Sequence, residues 1–189
     1  LLDGRARFNA AFFYNDYEDK QEEAIQPGPP PTFTSTTVRN VSGARILGLE
    51  LEGSLIVNDY FRLDGSLGLM NGEYTEYNTF VSSAQFVSTP AQPAGTLLTA
   101  DLTGLSLRRL PEITASFSPT FETPLGAGFL TARSTIRYVD EQFAEFFNDP
   151  RGLIPAQTFV DASVSFEFGG PSRDQARITV FGENLTENQ

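Results

Sequence analysis

Apolar and polar residues alternate along seven segments of the chain, so that each segment splits into two faces. In the first, about Arg5 to Tyr17, Ala6, Phe8, Ala10, Phe12 and Tyr14 share one side; Arg5, Arg7, Asn9, Ala11, Phe13 and Asn15 share the other. In the second, about Val38 to Val57, Leu47, Leu49, Leu51 and Leu55 oppose Gly48, Glu50, Glu52 and Ser54. The third follows Asn58-Asp59 and sets Phe61, Leu63, Leu67 and Leu69 against Arg62, Asp64, Ser66 and Gly68. The fourth, about Pro111 to Glu122, carries Ile113, Ala115, Phe117 and Phe121 on its apolar side, and the fifth Leu130, Ala132, Ile136 and Tyr138. Val160, Ala162, Val164, Phe166 and Phe168 mark the sixth, and Ile178 and Val180 the seventh, about Ala176 to Asn184. A period of two is that of a β-strand with one apolar and one polar face, and no segment calls for a helix.

The connections between these strands alternate in kind. An acidic stretch, Asp16 to Glu23, and a proline run, Pro27 to Pro31, follow the first strand; consecutive prolines cannot donate to a sheet ladder, so this reads as loop. Tyr77 to about Leu107, rich in Thr, Ser, Ala, Pro and Gly, is a second long loop, and Asp140 to Ala156 a third. Tight turns sit at Asn58-Asp59, Thr123 to Gly128 and Gly169 to Ser172. The phase changes near Ser42-Gly43 and is lost near Asn71-Gly72, at a bulge or the membrane edge, and Pro119 is awkward within a paired strand. Long loops at one end and short turns at the other are the signature of an outer-membrane β-barrel, and each strand is long enough for a tilted crossing of about 9–11 residues. The fold expected is all-β: seven antiparallel meander strands, the apolar set (Phe8, Phe12, Leu49, Leu51, Leu63, Leu67, Phe117, Ile136, Val164, Phe166, Ile178, Val180) facing lipid. Arg7, Asn9, Glu50, Glu52, Asp64, Arg133, Arg137, Asp161 and Glu167 should face the interior. Short turns should be periplasmic, and Gln21 to Thr36, Asn78 to Ser106 and Glu141 to Pro155 should face the medium. Tyr14 and Tyr138 should lie near the outer interface, and Phe61, Phe121 and Phe168 near the inner one.

Composition removes several alternatives. The chain has 189 residues, no Cys and no His, so thiolate sites, disulfides, the commonest general base and a Ser-His-Asp triad are excluded. Its net charge is −11 and Lys20 is its only lysine, so it is not built to bind nucleic acid. No apolar run approaches 18 residues, the length a membrane-spanning helix needs. No signal peptide is visible, and the chain reads as an excerpt that enters at a turn, Leu1 to Arg5, and leaves after its last strand.

Four stretches resemble motifs of one family. Ser42-Gly43-Ala44-Arg45-Ile46-Leu47-Gly48-Leu49-Glu50-Leu51-Glu52 is similar to the "G-x-x-G-x-E" strand of TonB-dependent outer-membrane receptors, and Arg7 to Tyr17 looks like the strand before it. Leu110-Pro111-Glu112 resembles the family's "L-P-x-x-P" approach to a later strand, with Ile113-Thr114 in place of the second proline. Gly182-Glu183-Asn184-Leu185-Thr186 resembles its "G-x-N-L-T-[DN]" box. The resemblance implies that residues 1–189 are the C-terminal barrel portion of a 22-stranded receptor of a Gram-negative outer membrane, without the plug domain and the last strand. It implies energy-coupled import of a scarce nutrient such as a ferric siderophore, cobalamin or a sugar. The implied partners are lipid and lipopolysaccharide, the protein's own plug and, through the missing N-terminal part, the TonB complex. No enzyme activity and no cofactor are implied. A passive porin or adhesin barrel and a secreted soluble β-sandwich share parts of the pattern. A plug encoded upstream would separate the first, and partition into detergent the second.

Candidate site residues follow from the faces. Glu50 and Glu52 stand two apart on one strand, a spacing that any strand lining a hydrated lumen gives; it makes no case for a metal or for paired catalytic carboxylates. Arg62, Arg133, Arg137 and Arg177 fall on the same polar faces, placed to pair with carboxylates or with a plug. Phe143, Phe146 and Phe147 in the third loop offer a stacking surface to an aromatic ligand, or pack against neighbouring loops. The carboxylates of Asp16 to Glu23 and Asp140 to Asp149 read as solvated loop, and Asn40-Val41-Ser42 and Asn184-Leu185-Thr186 as incidental glycosylation matches.

Overall fold

A computed structural model of the chain describes residues 1–27, 34–82, 97–169 and 176–186. Seven long strands form one antiparallel sheet in meander order: β1 (Ala6–Pro27), β2 (Thr34–Asn58), β3 (Phe61–Ser82), β5 (Ile113–Leu125), β6 (Gly128–Val139), β9 (Gln157–Phe168) and β10 (Ala176–Gly182). β4 (Leu97–Asp101) pairs with the far end of β3, and β7 (Gln142–Phe143) pairs with β8 (Leu153–Ile154) in a small separate ladder. The only helical piece among the described residues is a 3₁₀ turn, Pro150–Gly152. The sheet is open, with β1 and β10 at its edges.

The register follows the alternation of the sequence from strand to strand. Phe12 opposes Leu49, Leu49 opposes Leu69, Leu51 opposes Leu67, and Leu55 opposes Leu63. The row continues through Gly65–Phe117, Phe117–Ile136, Ile136–Val160 and Val164–Val180. Residues paired across a ladder share a face, so every apolar residue named above lies on one side of the sheet. That side is exposed: Phe12 keeps 72% of its accessible surface, Val180 71% and Phe8 58%. Residues this apolar, left open in a continuous field, need a non-aqueous neighbour.

Three expectations need correction. The acidic stretch Asp16 to Glu23 is strand, not loop, because β1 and β2 keep pairing as far as Pro27–Thr34. Ladder bonds use backbone groups and are indifferent to acidic side chains. The second long loop likewise begins with more of β3, to Ser82, and contains β4; its residues 83–96, like 28–33 of the first, fall outside the described residues. No bulge lies at Asn71-Gly72; the bulge of β3 is at Thr75. Gly43 pairs with Glu76 and Ala44 with Tyr74, leaving Thr75 as the extra residue of a bulge. The change foreseen near Ser42-Gly43 is real, and β1 answers it with register shifts between Tyr17 and Gln21, where Asp19 adopts φ 53°.

Pro119 is accommodated by a local lapse of pairing. β5 and β6 pair at Phe117–Ile136 and again at Thr120–Arg133, with nothing between, while Pro119 keeps its place opposite Leu63. The Ser118 and Thr135 hydroxyls, 3.0 Å apart, bridge the gap. The β5–β6 turn is two residues long, with Gly126 at φ 60°, the positive φ that a tight hairpin requires at its first central position.

Candidate functional site

The same register gathers the polar residues on the opposite face. Arg7 pairs with Ser54, Asn9 with Glu52, Glu52 with Ser66, Ser66 with Ser116 and Ser116 with Arg137. Glu50, Glu52, Arg62, Arg133, Arg137 and Arg177 therefore all stand on one side of the sheet. Several are paired there. Arg62 donates to Asp64 Oδ1 from Nε (3.1 Å) and Nη2 (2.8 Å), Arg137 Nη2 lies 3.3 Å from Asp161 Oδ2, and Arg177 Nε donates to Glu167 Oε2 over 3.1 Å. Arg7, Glu50 and Arg133 make no ion pair among the described residues. Between Arg7 and Arg133 lies a concavity of about 490 Å³, lined also by Asn9, Glu52, Arg62 and Asp64 among others. Its walls are charged and hydroxylic, suited to water and polar surface rather than to an apolar ligand. No cluster of three or more carboxylates among the described residues is set to hold a metal ion.

A second polar-face constellation stands at the loop end, around the Thr75 bulge. The extra residue reverses the alternation of β3, so Tyr74 and Tyr77, three apart, turn to the same side with ring centroids 4.9 Å apart. Both are fully buried, in a small core with Ala44, Leu102, Leu107 and Phe146. A strap from Leu102 to Leu110 supplies much of that core. It runs along the edge of β3 between β4 and β5, with Leu102 N–H donating to Tyr77 O, Gly104 N–H to Tyr74 O and Leu107 N–H to Gly72 O, at 2.8, 2.8 and 3.0 Å. Leu107 and Leu110 lie directly over Gly72, where a Cβ would overlap Leu110. The 140–156 loop is fastened to the strap: Asn148 accepts from Ser106 N–H (2.9 Å) and donates to Ser106 O (3.0 Å).

Glu22, 1% exposed, is the charged centre of this cluster. It pairs with Lys20, accepts from the Tyr74 hydroxyl at 3.0 Å, and has its Oε2 3.1 Å from Arg108 Nη2, without the alignment of a hydrogen bond. A buried carboxylate needs such company, since isolation in an apolar setting would cost several kcal/mol. Burial first, and the Glu22 charge after it, hold the Tyr74 and Tyr77 phenols well above the ordinary tyrosine range. In the neighbouring loop the Arg151 guanidinium holds the Asp149 carboxyl below the usual carboxylate range.

Of the third-loop phenylalanines, Phe146 is buried between Tyr77 (5.5 Å) and Phe147 (5.2 Å, edge-on), and Phe143 lies in β7 opposite Leu153. Sequence reasoning missed Glu22, Tyr74, Tyr77 and Arg108. The visible signals were two tyrosines three apart at the end of a strand and four leucines, Leu102, Leu105, Leu107 and Leu110, inside an otherwise polar loop.

The family model for the TonB dependent receptor-like β-barrel matches residues 1–185. The chain belongs to that family. Among solved structures it is similar to the ferric preacinetobactin receptor BauA of Acinetobacter baumannii, at 17% identity and a TM-score of 0.67, over 98% of this chain and 24% of that one. The ferric yersiniabactin uptake receptor FyuA of Yersinia pestis (17%, 0.67, 98% and 23%) and the siderophore receptor PiuA of A. baumannii (17%, 0.65, 100% and 23%) are similar to it in the same way. At that identity the likeness establishes the shared fold alone, and this chain spans about a quarter of the length of those receptors. A comparison with curated proteins finds no match.

Proposed function

We propose that this chain is wall and outer-loop structure of a TonB-dependent receptor that imports a scarce nutrient across a Gram-negative outer membrane. The observation that carries the reading is the two-faced sheet, apolar and exposed on one side and ion-paired and hydroxylic on the other. A transmembrane barrel asks for that division, lipid outside and polar lumen inside. Its dimensions agree. From Phe61, at the turn end of β3, to Asn71, level with Tyr14 through Leu47, is about ten residues, or roughly 25 Å once the strand is tilted. Above that level the apolar face turns polar, with the Arg45–Glu73 ion pair. Tyr14 and Tyr138 then mark the outer interface, and Phe61, Phe121 and Phe168 the inner one.

On this reading Glu50, Glu52, Arg62, Arg133, Arg137 and Arg177 face the lumen, with Arg7, Glu50 and Arg133 open to a plug domain. The chain contributes no catalytic group. A ferric siderophore is the favoured cargo, because iron uptake is named for the solved receptors that share the fold. Uptake of radiolabelled ferric chelates by cells expressing the full-length receptor tests this. Loss of uptake on deletion of tonB supports the reading, and uptake that persists without TonB would indicate a passive porin.

A further inference from the structure

The loop-end cluster concentrates cations in a chain of net charge −11. Lys20, Arg108 and Arg109 line a cleft of about 420 Å³ together with Gln21 and Glu22. Lys20 is engaged by Glu22, and Arg108 by Glu22 and Glu23 (3.6 Å). Arg109 makes no ion pair among the described residues and is exposed. Its backbone lies at φ 55°, in the left-handed region that residues other than glycine seldom enter. The neighbouring loop holds it there, since Arg109 N–H donates to Phe143 O over 2.8 Å. Leu102 and Leu107, the strap's own buried residues, anchor the platform in the small core.

The face on which the cleft opens decides what reaches it. Tyr74, partner of Glu22 and lying under Lys20 (5.6 Å from Nζ to the ring centroid), is on the polar side of the sheet. Lipid phosphates would meet the other side. We propose that the Leu102–Leu110 strap is a preformed ledge that presents Arg109, with Arg108 and Lys20 behind it, to an anionic carboxylate or phosphate group of a solute entering the lumen. Glu22 acts as a positioning residue, holding Lys20 and Arg108 at the rim. The inference rests on the proposed receptor reading, which makes the polar face the lumen.

The experiment is a titration of the purified full-length receptor in detergent with inorganic phosphate, followed by ³¹P NMR. Saturable binding is expected, about tenfold weaker in Arg109→Gln for the loss of one charge-assisted contact, and retained in Arg109→Lys. Absence of saturable binding, loss in both variants, or binding unaffected in both overturns the ledge. In a second arm the receptor sits in liposomes of phosphatidylglycerol or of phosphatidylcholine; equal phosphate binding supports a solute site, and competition by the anionic lipid assigns the cleft to headgroups and overturns it. Uptake is measured on the same protein. A TonB-dependent transporter that ignores phosphate overturns the ledge alone, and a passive channel that binds phosphate at Arg109 overturns the receptor reading alone.

Discussion

The Tyr74 hydroxyl donates a 3.0 Å hydrogen bond to Glu22 Oε1 and so ties β3 to β1 across the polar face, at the level at which both strands bulge. Between them stands β2, which pairs with each, and the contact reinforces the direct β1–β3 pairing at Ile25–Phe80 in holding the three strands together.

Tyr74→Phe should loosen that unit. The loss of a hydrogen bond to a buried carboxylate costs roughly 1.5–3 kcal/mol. Amide hydrogen exchange of the full-length receptor should show faster exchange at Gly104 and Leu107, whose N–H groups bond to β3. Unchanged exchange there would mean that Glu22 is held by Lys20 and Arg108 alone.

The buried phenols predict an alkaline limit. Their folded pKa values are raised, so the neutral forms of Tyr74 and Tyr77 contribute stability that is fully present below the unfolded tyrosine value of about 10 and is lost as pH rises above it. Tyrosinate absorbance should show two tyrosines ionising together with the opening of the loop end; in Tyr74→Phe one of the two should vanish from that step.

Charge on the apolar face should be costly in proportion to depth. Leu67 lies mid-band, opposite Leu51 and Ala115, and Leu67→Arg should destabilise the refolded receptor by about 2–4 kcal/mol. Leu125→Arg, beside the turn, should cost about 1 kcal/mol or less. Equal costs in denaturant titrations would argue against a bilayer on that face.

Gly48 predicts a packing effect on the polar face. The Phe13 ring lies over it, so a Cβ at that position would overlap the ring. Gly48→Ala should displace Phe13 and destabilise by about 1–3 kcal/mol, as overpacking does. The double variant Gly48→Ala, Phe13→Leu should recover part of the loss in the same denaturation assay.

The sheet was legible in the sequence because its residues meet two different environments, and alternation is the trace that such a boundary leaves. Leu49, Leu51, Leu63 and Leu67 could be placed on one face, and Glu50, Glu52, Arg62 and Arg133 on the other, without coordinates. The upper half was not legible. There both faces are polar or locally packed, so Asp16 to Glu23 read as loop although the backbone is laddered on either side of its bulge. The Glu22 cluster joins residues from positions 20 to 108; the bulge in β1 brings Lys20 and Glu22 to the side of Tyr74, and the bulge in β3 brings Tyr77 there. A single inserted residue changes what every later residue faces, and its position cannot be read from the types of residue around it.

Thr75 thus works as a frame shift written in space. Below it, β3 is spelled for lipid; above it, the same strand is spelled for water and a small core. With the shift absorbed at one residue, either half can be rewritten while the other keeps its frame. Were Thr75 kept but paired as an ordinary ladder residue, Tyr77 and Thr79 would turn outward and the core under the strap would empty, whereas its deletion would leave Glu76 and Tyr77 opposite Gly43 and Ser42 as they stand.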